Sequence, residues 1–86
     1  MGITLRDILN IRKEVMRQNR TPESICLVIT RKTAIHIFND LYNRGLTEKS
    51  FIGMLTEITN FNEDKICEHM HNSILFGVMI KVKGES

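Results

Sequence analysis

Eighty-six residues with a formal net charge of +2, 42% hydrophobic and 26% charged, hold enough apolar material for one domain spanning 1–86 and too little for two. A single Pro and five Gly argue against a collagen-like or low-complexity chain, and no apolar run approaches the roughly 18 residues of a membrane span. The opening MGITLRDILNIRKEV places charges where a secretory leader needs an apolar stretch, so a cytoplasmic protein with no membrane contact is expected.

Charge is unevenly spread. Residues 1–44 carry eight basic and four acidic side chains, residues 45–73 two basic and five acidic, and residues 74–86 return to a net +1. A polarised small protein can steer a partner or join a second copy. The two cysteines, Cys26 and Cys67, fall in segments that read as a buried strand and a helix, and free buried thiols are the expectation.

Thr4 with Asp7 three residues on has the spacing of a capping box, and Leu5, Ile8, Leu9, Val15 and Met16 then recur at helical spacing to about Gln18. On the same helix Arg6, Lys13, Arg17 and Arg20 fall on one adjoining stripe, the strongest single candidate for a contact surface. NRTPE, residues 19–23, reads as a turn ended by Pro22, and SICLVIT, residues 24–30, as a short buried strand. Thr30 caps a second helix with Ala34, Ile35, Phe38, Leu41 and Tyr42 inward and Gly45 as its stop.

Thr47 is expected to cap a third helix that buries Phe51, Ile52, Leu55 and Ile58, and Asn62 a fourth from Glu63 to about His71. The end, SILFGVMIKVK, alternates as one strand, with Ile74, Phe76, Val78, Ile80 and Val82 on one side and Leu75, Gly77, Met79, Lys81 and Lys83 on the other. Lys81 and Lys83 then read as charges guarding a sheet edge. The sum is an α+β fold in the order α-β-α-α-α-β, with three to four helices over a small two-stranded sheet, or one completed by dimerisation, since an isolated pair of strands is marginal in water.

LYNRGLTEKSF, residues 41–51, resembles the turn of a helix-turn-helix, with helix, Gly, apolar residue, Thr and a second helix, and the element order resembles the first part of a winged helix. The resemblance covers about half the chain and implies a DNA-binding regulator whose reading helix would begin near Glu48. Leu41 stands where that family has a small residue, and Glu48 and Glu57 lie on the side that would face phosphate.

CEHMH, residues 67–71, has metal-ligand chemistry: Cys67 and His71 are spaced i, i+4, and Glu68 and His71 have the Glu-x-x-His spacing of carboxylate metal sites. Such sites need a second set of ligands, which only His36 and Cys26 could supply, so no metal and no cofactor is expected, and a small metal-binding protein stays as the second alternative. His36 and Asp40 could pair at i, i+4, yet no nucleophile accompanies them, and no catalytic residue is expected. The reading is therefore a non-enzymatic interaction module, an accessory regulator or inhibitor of the kind common in phages and mobile elements. It would bind a protein or a second copy of itself, with nucleic acid less favoured, through Arg6, Lys13, Arg17 and Arg20 and through the rim formed by Met79, Lys81 and Lys83.

Overall fold

A computed structural model describes residues 2–21, 25–58 and 61–83. Pro22 and Ser24, to which the turn and the strand start were assigned, lie outside the described residues.

The first helix, α1 (Leu5–Arg17), starts where the sequence says. The Thr4 hydroxyl accepts from the Asp7 amide and the Asp7 carboxylate from the Thr4 amide, so two otherwise orphaned donors are satisfied together. Its end is closed by Asn19 in the left-handed region, φ 57°, with the Asn19 amide bonded to the Met16 carbonyl and the Arg20 amide to that of Val15. That is a Schellman closure with Asn in the usual place of Gly.

Strand β1 (Cys26–Ile29) leads into α2 (Arg31–Arg44), capped by the Thr30 hydroxyl and closed by Gly45 at φ 64°. Next comes α3 (Lys49–Glu57). It begins one residue later than a Thr47 cap requires: Glu48 takes the cap position and its side chain makes no capping bond. The last helix, α4 (Glu63–Met70), is capped by the Asn62 side chain, which accepts from the Lys65 amide.

The terminal segment is two strands, not one: β2 (Ser73–Leu75) and β3 (Val78–Val82) form an antiparallel hairpin. Its loop is the pair Phe76 and Gly77, with φ of 51° and 82°. Positive φ at both positions is what a type I′ turn requires, and that turn matches the natural twist of the strands. The third strand sought for the sheet therefore comes from this chain. The order is β1-β3-β2, with β3 in the centre, parallel to β1 and antiparallel to β2.

Central placement corrects the edge reading of the last strand. Lys81 and Lys83 do not guard a rim; the free edges belong to β1 and β2. Parity is corrected as well. A two-residue turn makes Leu75 and Val78 partners, so inward residues are odd-numbered before it and even-numbered after it. Leu75 is 0% exposed, whereas Ile74, which continuous alternation would bury, is 41% exposed.

One apolar cluster gathers Leu5 and Ile8 of α1, Ala34, Ile37, Phe38 and Leu41 of α2, Phe51 and Met54 of α3, and Ile66 and Met70 of α4. It meets Ile29, Leu75, Val78, Ile80 and Val82 from a single face of the sheet. Each such side chain removed from water contributes roughly 1.5–3 kcal/mol. The fold is thus two layers, helices over one sheet face. Three inward positions expected of the helices turn out exposed: Met16, Ile52 and Tyr42. Met54 takes the place of Ile52, and the Tyr42 ring lies over α2's end against Phe61, centroids 4.5 Å apart and close to perpendicular.

Candidate interaction surface

The side of the sheet away from the helices is assembled by register. Cys26 stands beside Met79, Val28 beside Lys81, and Ile74 across from Met79, so these five side chains share one face. Val28 is 60% exposed, Cys26 and Lys81 are exposed, and Met79 is half-buried. The burial expected of the first strand is thereby corrected: β1 is an edge strand with one open face, and its thiol, Cys26, is exposed, while Cys67 is buried.

The two edges differ. On β2 the Ser50 hydroxyl of α3 donates to the Ile74 carbonyl at 3.5 Å, so a helix stands against that edge. On β1 the residues are Cys, Leu, Val and Ile, with no charge, Pro or Gly to discourage another strand.

Of the expected contact residues, Met79 and Lys81 come together on the open face, and Lys83 follows them, its amide bonded to the Ile29 carbonyl at 2.7 Å. Arg6, Lys13 and Arg17 are exposed on α1, whose other side packs against the covered face of the sheet, whereas Arg20 is exposed beyond the helix end, past the left-handed Asn19, so the expected stripe does not run on to it. The two sets therefore belong to opposite layers and do not form one surface. Within the stripe, Arg17 is engaged by Glu14 through two bonds, the shorter 2.5 Å, and Gln18 reaches the same carboxylate at 2.9 Å. The Arg17 guanidinium, then the Gln18 amide, hold the Glu14 carboxyl below its ordinary range; the same ion pair raises Arg17.

The sequence reading missed Cys26, Val28 and Ile74 as surface residues. A turn signal at Phe76-Gly77 was the one clue available, since splitting the terminal strand there exposes Ile74 and makes β1 an edge.

Other candidate pairs are placed elsewhere. Asp40 accepts from Arg44 Nε at 2.8 Å, and among the described residues no bond joins it to His36. His71 is the C-cap of α4 and turns its ring to the Val82 carbonyl, while Cys67 Sγ lies 3.9 Å from the Arg31 carbonyl oxygen. Among the described residues no three His, Cys, Asp or Glu side chains are grouped to hold a metal ion, and no helix is long and apolar enough to cross a membrane. The α2–α3 junction keeps Gly45 as a left-handed stop, with Leu41 fully buried beside it, and the exposed side of α3 displays Lys49, Ile52, Thr56 and Glu57.

The chain was compared with models of protein families, with characterised proteins and with solved structures, and it matches none of them.

Proposed function

We propose that this chain is a non-enzymatic protein-interaction module, an accessory regulator that docks through the open face of its sheet and the adjoining edge of β1, with a second copy of itself as partner. The observation that carries the reading is the run of Cys26, Val28, Met79 and Ile74 across three strands on a face no helix covers. An unpaired row of backbone donors and acceptors beside such a surface favours pairing with another strand, which leaves the face itself open but packs its apolar side chains at the seam against those of the second copy.

The pleat restricts how two β1 strands can meet. Antiparallel pairing about a two-fold axis keeps outer residues with outer residues only when the axis passes through a residue pair. Centred on Val28, it sets Leu27 against Ile29 of the second copy. An axis between Leu27 and Val28 would set the outer Cys26 against the inner Ile29, and the pleat forbids it. Lys81 then lies on β3, one strand out from the seam in each copy, with Lys83 just beyond the strand's end. Arg6 and Lys13, in the other layer, provide a separate field for an acidic surface. A duplex-DNA reading draws no support from α3, whose outer side offers phosphate the Glu57 carboxylate and the apolar Ile52.

Light scattering over a wide concentration range tests the proposal. The expected species has twice the 10.0 kDa mass of the chain. Val28→Glu should return it to monomer, while Ile52→Glu, an equally exposed apolar site on α3, should not. In a Cys26→Ser background, Val28→Cys should form a disulfide-linked dimer under mild oxidation if the axis lies at residue 28. A monomer at the highest concentration reached, unaffected by Val28→Glu, overturns the reading.

A further inference from the structure

We propose that the cleft where α3, the end of α4 and β2 meet is a binding site for a small primary amine. The cleft holds about 300 Å3, room for about ten waters at roughly 30 Å3 each. A short alkylammonium ion fits within it.

Three polar groups face a common problem there. Ser73 lines the cleft, and its hydroxyl oxygen is buried without a hydrogen-bond partner among the described residues. Buried hydroxyls are nearly always bonded, so this one has nothing to lose by rotating about Cα–Cβ toward the cleft and a partner to gain. Glu57 Oε2 lies 2.8 Å from His69 Nε2, which places the carboxylate at the mouth and leaves Oε1 for a ligand. The Ser50 hydroxyl donates weakly to the Ile74 carbonyl, which leaves its lone pairs to accept.

The charge of the lining selects the class of ligand. Among the described residues no Lys or Arg lines the cleft, and while the imidazole of His69 is neutral the Glu57 carboxylate sets the sign and an anion is disfavoured. A hard divalent cation prefers six or more oxygen ligands; here one carboxylate is available and it is already engaged with an imidazole. An ammonium group has three donors and no acceptor, which suits one carboxylate and two hydroxyls. Met54 offers apolar surface to the carbon chain behind it.

Two-dimensional amide NMR with butylammonium chloride as the probe tests this, with sodium butyrate and sodium chloride as controls at matched ionic strength. The expected result is a saturable shift confined to amides of residues 50–57 and 69–74, with a Kd of about 1–10 mM for so small a ligand. Glu57→Gln should weaken binding at least about tenfold, and Ser73→Ala by roughly threefold to tenfold. Ser73→Ala removes a hydroxyl that makes no bond, so its melting temperature should not fall, and it decides the matter alone if Glu57→Gln loses stability. A non-saturating response, equal shifts with butyrate or sodium, or unchanged affinity in Ser73→Ala overturns the proposal.

Discussion

His71 Nδ1 lies 3.1 Å from the Val82 carbonyl oxygen, and through this contact the end of α4 is tied to the end of the central strand. The ring sits just beyond the last helical turn, with its backbone already extended, φ −63° and ψ 122°. It therefore serves as a brace between the helical layer and the sheet. Replacing it with Ala leaves a strand-end carbonyl to water, and the expected cost is about 1 kcal/mol. Urea unfolding of His71→Ala measures it; a midpoint equal to the wild type would show that the brace carries no stability.

Gly45 and Gly53 should respond to Ala in opposite directions. A methyl group at either meets nothing within 4 Å, so packing does not enter. Gly45 closes α2 at φ 64°, where a Cβ is strained, and Gly45→Ala should destabilise by about 1 kcal/mol. Gly53 lies inside α3 and is exposed, so Gly53→Ala should stabilise by roughly 0.5–1 kcal/mol by restricting the unfolded chain. Thermal melts of the two variants side by side decide it, and the same sign for both would contradict the assigned backbone.

The parity of β3 can be read from neighbours. Ile80 is 0% exposed against the helices, and Lys81 faces the open side. Ile80→Val should cost about 0.5–1.5 kcal/mol from the methylene it removes from the core. Lys81→Ala should stay within roughly 0.5 kcal/mol. A strand slipped by one residue would reverse the order of these effects in denaturant titrations.

Acid should weaken α1 in a way that traces to one carboxylate. The Arg17 and Gln18 bonds hold the folded-state pKa of Glu14 below its ordinary 4.5. The stability from that group is accordingly complete above 4.5 and is lost as pH falls through the lower folded value. The melting difference between wild type and Glu14→Gln should be present near neutral pH, shrink in acid, and shrink with added salt because the pair is solvent-exposed. A difference independent of both pH and salt would assign the effect to something other than the ion pair.

The helix ends were legible in the sequence because their causes are local. Thr4 with Asp7, Thr30, Asn62 and Gly45 act over three or four residues through bonds to their own backbone, and each of these four ends appears where its residues place it. The α+β class followed from periodicity for the same reason. The sheet did not. Ile74, Phe76 and Val78 alternate without interruption, so the segment reads as one strand, and only pairing energy, gained when Leu75 meets Val78, folds it at Phe76-Gly77. That fold moved Met79 and Lys81 from a supposed rim to the centre and left Val28 and Ile74 facing outward. Arg6, Lys13 and Arg17 show the complementary limit: a helical wheel fixes which residues share a stripe, but which layer the stripe faces depends on what packs beneath the helix. One-dimensional pattern determined the four helices and most of their ends, the start of α3 excepted, because capping and amphipathicity are short-range. Strand neighbours, parity and the open face were decided in three dimensions, because hydrogen bonding between strands joins residues as distant as Cys26 and Met79.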